Sequence, residues 1–161
     1  MPLQIGYLDN NGHPRLKIVV SGSNPEASLE VDALIDTGFT GFLMLPVAQA
    51  IPLGMTVYGT GDYTIANGAT VTNFLAKGKI TIRPAQLPQG APAPPPGILE
   101  EESVEGIIVL SGGGALLGME FLRSLDKLLV VGKIVVLISH AMIAGILPQQ
   151  PPEPPTQAAV V

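Results

Sequence analysis

The sequence predicts an all-β domain, and three observations carry that prediction. Apolar residues fall in many short runs at close spacing, several of which alternate with polar residues. Asn-Gly pairs separate some of these runs, and Asn-Gly favours tight hairpins because both residues tolerate positive φ. Only Glu120–Leu125, near the C-terminal end, has the character of a helix, and a short one. Many short strands with few helices form a small barrel or a sandwich.

Four strands are predicted in the first third of the chain: Leu3–Leu8, Arg15–Val20, Ser28–Ile35 and Phe42–Leu45. Asn11-Gly12 lies between the first two strands and predicts a hairpin. The third strand alternates and then becomes continuously apolar, as a strand does on entering a core. The fourth strand ends at Pro46, and a turn of helix is expected over Pro46–Ile51.

The remaining strands are predicted at Asp62–Ala66, Ala69–Leu75, Lys79–Ile82, Gly106–Leu110 and Leu128–Ile138. Asn67-Gly68 joins the first two of these in a second hairpin. Gly132-Lys133 interrupts the last strand, which is otherwise rich in β-branched residues.

A length of 161 residues suits one domain. We predict a domain over residues 1–140, with a Pro-rich and acidic insertion at 84–105, and an apolar then Pro-rich tail at 141–161 that is disordered from residue 148. Six of the sixteen prolines lie between Arg83 and Gly97, and five more lie between Pro148 and Pro155. Such segments have no hydrophobic period and favour extended, solvated conformations.

Composition excludes several classes of function. The net charge is −5 and there is no cluster of Lys or Arg, which argues against a nucleic-acid partner. The absence of cysteine removes disulfides, thiolate chemistry and Cys-based zinc sites. His13 and His140 are isolated and do not suggest a metal site. Ser111-Gly112-Gly113-Gly114 lacks the Lys and Ser/Thr of a phosphate-binding loop. No metal or cofactor is therefore predicted.

One apolar stretch raises the alternative of a membrane-associated protein. Leu128–Leu147 is apolar apart from Lys133, Ser139 and His140, and its length approaches the ~20 residues of a membrane span. A central Lys costs roughly 2.5–3.5 kcal/mol on insertion scales, so buried strands are favoured over a span. The N-terminal residues lack the profile of a secretory signal, and a cytoplasmic location is expected.

The most informative passage is Ala33-Leu34-Ile35-Asp36-Thr37-Gly38, which continues into Phe39-Thr40-Gly41. A strand runs directly into Asp36, and the two glycines permit a tight reversal of the chain. Asp-Thr-Gly alone is also an ordinary strand-ending turn, in which Asp36 would only cap the turn. The whole passage resembles the active-site turn of the retropepsin-like aspartic peptidases, particularly the small bacterial members.

Two further segments extend this resemblance over most of Leu3 to Ile138. Leu116-Leu117-Gly118 and the short helix after it resemble the strand that passes beside the active-site loop in that family. The Asn67-Gly68 hairpin lies where the family carries its substrate-covering flap. The resemblance implies a small closed barrel with one short helix near the C-terminal end, and Asn67 and Gly68 as substrate-binding residues at the flap tip.

The resemblance also implies roles for Asp36, Thr37 and Gly38. In this family two aspartates, one from each subunit, hold the water that attacks the peptide bond. The chain contains one Asp-Thr-Gly, so the mechanism requires a homodimer, with polypeptide as substrate and no cofactor. Thr37 would form a hydrogen bond across the interface, and Gly38 would support the turn.

The sequence departs from the viral members of the family, among other places at Phe39 and at the flap tip, and a rival function stays open. Phe39 stands where many of them have a small residue, and it either narrows the cleft or fills the core. The flap tip is shorter and poorer in glycine. The rival is a non-proteolytic dimerisation or binding module that keeps the fold, since a fold does not fix a function. The oligomeric state separates the two, because a strict monomer cannot bring two Asp36 carboxylates together.

Overall fold

The computed structural model of the protein describes residues 4–24, 26–64, 67–83, 101–125, 127–131 and 135–139. Its strands are β1 (Gln4–Leu8), β2 (Pro14–Ser21), β3 (Ser28–Ile35), β4 (Leu43–Pro46), β5 (Val57–Thr64), β6 (Thr70–Ile82), β7 (Glu102–Ser111), β8 (Leu116–Leu117), β9 (Lys127–Val131) and β10 (Val135–Ser139). Its helices are α1 (Val47–Ala50) and α2 (Met119–Ser124), and a 3-10 turn covers Ile51–Leu53. The described chain is mostly β-strand, as the sequence predicts.

The ten strands form one sheet, in the order β5-β6-β7-β4-β8-β3-β2-β1-β10-β9. An additional antiparallel pairing joins β6 back to β2, so the six strands from β6 to β2 are hydrogen-bonded in a circuit. Most pairs are antiparallel, but β8 runs parallel to β3, and β4 runs parallel to β7. The two-residue strand β8 thus lies between β3 and β4, which come before it in the chain.

The core is aliphatic with a few phenylalanines, as expected for a chain without Trp. Burial alternates along β3, where Val31, Ala33 and Ile35 face the core. Phe42 and Phe121 are almost completely buried and meet edge to face, with ring centroids 5.6 Å apart. This ring contact fixes α2 against the start of β4, beside the loop that follows β3.

The predicted hairpins and most of the strands are confirmed. In the first hairpin, the Asp9 carboxylate oxygen Oδ1 accepts hydrogen bonds of 2.9 Å from the backbone N–H groups of Asn11 and His13. Gly12 has a φ of 80°, the region that glycine favours. The start of β5 was not predicted, because Gly59 and Gly61 lower strand propensity; pairing with β6 compensates for them.

The apolar C-terminal run contains two antiparallel strands, β9 and β10, on either side of residues 132–134. Gly132-Lys133, where a break was predicted, and residues 140–147 lie outside the described part of the chain. Within the residues described, no helix combines the length and the apolar character that crossing a membrane requires.

One expectation needs correction. The sequence predicted a strand from Gly106, whereas β7 begins at Glu102, within the range predicted as an insertion, and pairs with β6 from Ile82 onward. The hydroxyl groups of Thr81 and Ser103 lie 2.8 Å apart, which anchors this part of β7 in the sheet. Residues 84–100, and the predicted tail at 141–161 with disorder from 148, lie outside the described residues. The helix α1 and the 3-10 turn after it lie where a turn of helix was expected over Pro46–Ile51.

A polar cluster on the first three strands leads to a prediction about alkaline stability. The Tyr7 hydroxyl donates a hydrogen bond to the Asp32 carboxylate, and Arg15 Nε donates to the same oxygen at 3.1 Å. The hydrogen bond to Asp32 and burial raise the pKa of Tyr7 above its usual value of 10.0. A raised pKa contributes stability that is complete below pH 10 and is lost as the pH rises through the folded-state pKa.

We therefore expect the urea midpoint to fall less between pH 8 and pH 11 in Tyr7→Phe than in wild type. An equal fall in the two proteins would contradict this role of Tyr7. Tyr58→Phe is the matched control.

Candidate active site

Asp36 is the first residue after β3, and backbone hydrogen bonds hold it on both sides. Its N–H donates to the carbonyl oxygen of Leu117 at 2.9 Å, so β8 fixes the point where β3 ends. Its own carbonyl oxygen accepts from the N–H of Phe39 at 3.2 Å, which closes a tight turn. The side chain is half-buried. The backbone thus fixes the position of the Asp36 carboxylate while leaving it within reach of solvent.

One oxygen of the Asp36 carboxylate already has a hydrogen-bond partner. Its Oδ1 accepts a hydrogen bond of 2.9 Å from the N–H of Gly38, as in an Asx turn. A Cβ atom on Gly38 would lie 3.1 Å from this oxygen, so a side chain there would crowd the carboxylate. Within the described residues, no other group bonds to the carboxylate, and Oδ2 is therefore available to a water or a substrate. Thr37 and Gly38 are both exposed at the surface.

The strand β8 pairs with the end of β3 and so supports the turn at Asp36. Leu34 and Ile35 of β3 pair in parallel with Leu116 and Leu117, and Leu117 pairs on its other side with Leu43 of β4. The Leu34 N–H also donates to the Ala115 carbonyl oxygen at 2.9 Å. Two apolar residues suit this position because β8 lies in the interior, and Leu117 is completely buried. This placement agrees with the strand that the resemblance assigns to Leu116-Leu117.

Gly118 brings the start of α2 against the loop formed by residues 39–41. Its N–H donates to the Phe42 carbonyl oxygen at 3.1 Å, and the Met119 N–H donates to the Phe39 carbonyl oxygen at 2.9 Å. The Glu120 N–H donates to the Gly41 carbonyl oxygen at 3.2 Å. A Cβ atom on Gly118 would lie 2.1 Å from that Gly41 oxygen. The loop carbonyls therefore satisfy the free N–H groups of the first helical turn, and only glycine fits between them.

Phe39 fills the space beside this loop. Its side chain is buried, with 9% exposure. A Cβ atom on Gly41 or on Gly118 would lie 2.6 Å from an atom of the Phe39 ring. The ring therefore occupies the space that these two glycines leave open. Of the two roles that the sequence left open for Phe39, filling the interior is the one that its burial supports.

The β5–β6 hairpin extends over the same loop. Tyr63, near the end of β5, packs against Phe39 with ring centroids 6.0 Å apart and planes tilted by 52°. At the tip, Asn67 Oδ1 accepts from the Ala69 N–H at 2.9 Å, and Gly68 has a φ of 83°. Asn67 and Gly68 are exposed, and residues 65 and 66 lie outside the described part of the chain. Asn67-Gly68 thus forms the predicted turn, while Tyr63 makes the contact with Phe39 in the loop after Asp36.

Tyr63 was not among the predicted site residues. It is half-buried, and burial is the main cause that raises its pKa, with smaller contributions from the charges of Tyr58 and Glu120. No local pattern marks this residue, because its contact with Phe39 joins segments 24 positions apart. The alternation in β5 would have indicated only which face it occupies.

Comparison with models of known protein families gives no match, and comparison with curated proteins gives none either. Comparison with solved structures finds the crystal structure of a retropepsin-like aspartic protease from Rickettsia conorii. The two chains are 16% identical, with a TM-score of 0.48, and the match covers 84% of this chain and 88% of the other. At this identity the likeness concerns the course of the backbone. The chain is thus similar in structure to a retropepsin-like aspartic protease.

Proposed function

We propose that the protein is an aspartic endopeptidase whose catalytic pair is formed by Asp36 from each chain of a homodimer. The observation that carries the proposal is the arrangement of the Asp36 carboxylate. One oxygen is held by the Gly38 N–H at 2.9 Å, and the other has no partner among the described residues. A carboxylate that serves only as a turn cap needs neither the backbone hydrogen bond from Asp36 to β8 nor a hairpin packed against Phe39 in the same loop.

The chemistry follows from two carboxyl groups that share one proton. Two such groups in close contact cannot both ionise, so the pair carries a single charge. The ionised carboxylate takes a proton from the water as the water oxygen attacks the carbonyl carbon of the peptide bond. The protonated partner donates a hydrogen bond to the carbonyl oxygen. Collapse of the tetrahedral intermediate then breaks the C–N bond, and the amine leaves with a proton from the pair.

The proposal includes the geometry in which the substrate is bound. An extended polypeptide would lie as a strand between the Asp36 loop and the β5–β6 hairpin, held by main-chain hydrogen bonds, with Asn67 and Gly68 at the hairpin tip. The circuit of pairings from β6 round to β2 supports a small closed barrel as the scaffold. No metal is needed for this chemistry. The cytoplasmic location and the exclusion of a nucleic-acid partner stay predictions from the sequence.

Thr37 provides a test of the dimer. Its side chain is exposed beside Asp36, and its hydroxyl has no hydrogen-bond partner among the described residues. If it bonds across the two-fold axis, Thr37→Ala removes two symmetry-related hydrogen bonds, each worth roughly 0.5–1.5 kcal/mol. We expect the dimer dissociation constant to rise by about tenfold in sedimentation experiments. Thr40→Ala, an exposed threonine in the same loop, is the control, and equal dissociation constants for wild type and Thr37→Ala would remove Thr37 from the interface.

The experiment that tests the proposed function measures cleavage and mass on the same sample. Purified protein would be incubated with an unfolded protein substrate from mildly acidic to neutral pH, with and without pepstatin, while light scattering reports the oligomeric state. We expect a dimer that cleaves and that pepstatin inhibits. A well-folded dimer that cleaves nothing across that range would favour the non-proteolytic binding module. A protein that stays monomeric at high concentration would rule out the shared pair.

A further inference from the structure

The hairpin strand β5 presents two different faces. Burial alternates along it: Gly59, Gly61 and Tyr63 are half-buried, while the residues between them are exposed. The half-buried face is therefore the inner one, and Tyr63 carries the only ring on it. A Cβ atom on Gly59 would meet nothing within 4 Å, so open space lies beside that position. The inner face of β5 is thus open at Gly59 and filled by an aromatic ring at Tyr63.

Tyr63 rests on a rigid support. The Phe39 ring that it contacts is buried and lies close to Gly41 and Gly118. An added Cβ atom on either glycine would lie 2.6 Å from an atom of the ring. The Phe39 backbone is tied to Asp36 at 3.2 Å and to Met119 at 2.9 Å. Since Phe39 cannot sink further into the interior, the ring contact at 6.0 Å sets how closely the hairpin approaches the Asp36 loop.

We propose that Tyr63, supported by Phe39, determines specificity by occupying the space next to Asp36 that a large substrate side chain would need. The inference rests on the proposed function and goes beyond it by naming the substrate class. The ring of Tyr63 limits the size of the substrate side chain that can face the hairpin tip beside the scissile bond. The open space beside Gly59 leaves room for the substrate backbone on the other side. The preferred substrates are therefore extended polypeptides with a small residue at one of the two positions flanking the cleaved bond.

A cleavage-site profile tests this inference. Wild type and variants would each digest the same peptide library, prepared from a denatured bacterial lysate, and mass spectrometry would identify the cleaved bonds. We expect wild type to prefer Gly, Ala, Ser or Val at one flanking position. In Tyr63→Ala the ratio of cleavage at large residues (Leu, Met, Phe) to cleavage at small ones should rise about tenfold, since filling or emptying part of an apolar pocket changes discrimination by 10- to 200-fold. Tyr63→Phe keeps the ring and should keep the wild-type ratio.

The matched control is Phe74→Ala, in the same hairpin. Phe74 is an aromatic residue of β6 with 56% exposure, opposite Thr60 on the outer face of the hairpin. Its removal should leave the ratio unchanged. If Tyr63→Ala lowers cleavage at all residues equally and the ratio stays at the wild-type value, the specificity role is wrong while the peptidase proposal stands. If wild type cleaves no peptide in the library, the proposed function itself fails, and this inference fails with it.

Discussion

Replacing Asp36 by Asn should abolish peptide cleavage and leave the fold and the proposed dimer intact. Removing a general base or acid typically lowers a rate by about 10²- to 10⁴-fold, and here one substitution removes both members of the symmetric pair, so a loss of at least about 10³-fold is expected. The fold should survive because an Asn amide oxygen can accept the Gly38 N–H bond that Asp36 Oδ1 accepts at 2.9 Å. The measurement is kcat/KM on an unfolded protein substrate, with the dimer followed by light scattering.

Mixed dimers make this prediction sharper, because they test whether one active site needs two chains. Wild-type and Asp36→Asn chains would be mixed in equal amounts and left to exchange subunits. If each site requires two Asp36 carboxylates, only pairs of wild-type chains cleave, and about a quarter of the activity of an all-wild-type sample at the same total concentration should remain. If each chain acted by itself, about half would remain. A value near half would therefore contradict the shared pair.

Glu26→Gln is the matched control for the change from carboxylate to amide. Glu26 is exposed in the segment between β2 and β3, and its side chain is not part of the site. It should cleave like wild type. If Asp36→Asn instead kept wild-type activity, Asp36 would only cap the turn.

The parts of the fold that follow from local pattern were predictable from the sequence. Ser28–Ile35 was predicted with the bounds that β3 has, because its alternation reflects a strand whose inner residues enter the core. Asn11-Gly12 and Asn67-Gly68 marked their hairpins because glycine at positive φ is a local requirement. The position of Asp36 followed in turn, since it lies where a well-defined strand must end.

The parts that depend on distant contacts were not predictable from residues taken singly. The start of β5 contains glycines that disfavour strands, and it becomes a strand by pairing with β6. A two-residue strand such as β8 has no period of its own, and only the resemblance of Leu116-Leu117-Gly118 to a family pattern indicated it. Tyr63 meets Phe39 because the sheet brings the hairpin over the loop. The start of β7 was missed because the acidic residues of Glu102–Glu105 indicated a solvated loop, whereas all four residues pair with β6.

Gly118→Ala is expected to be among the most destabilising single-methyl additions in the chain. A Cβ atom at this position would lie 2.1 Å from the Gly41 carbonyl oxygen and 2.6 Å from the Phe39 carbonyl oxygen. Both are backbone atoms, so no side-chain rotation can relieve the contact. Overpacking of this kind typically costs about 1–3 kcal/mol, and the absence of a flexible neighbour places Gly118→Ala at the upper end of that range. Urea unfolding measures the loss, at a fixed protein concentration because the stability of the proposed dimer depends on concentration.

Gly114→Ala separates this steric effect from the general effect of replacing glycine. A Cβ atom on Gly114 would meet nothing within 4 Å. The free energy of unfolding of Gly114→Ala should therefore stay within about 0.5 kcal/mol of wild type. Gly118 itself has a φ of −102°, which any residue adopts, so the loss at Gly118 comes from space and not from backbone conformation. Equal stabilities for the two variants would mean that the Gly41 loop yields freely. A large loss at Gly118 alone, accompanied by a lower kcat in the folded dimer, would show that the contact between α2 and the 39–41 loop also holds Asp36 in place.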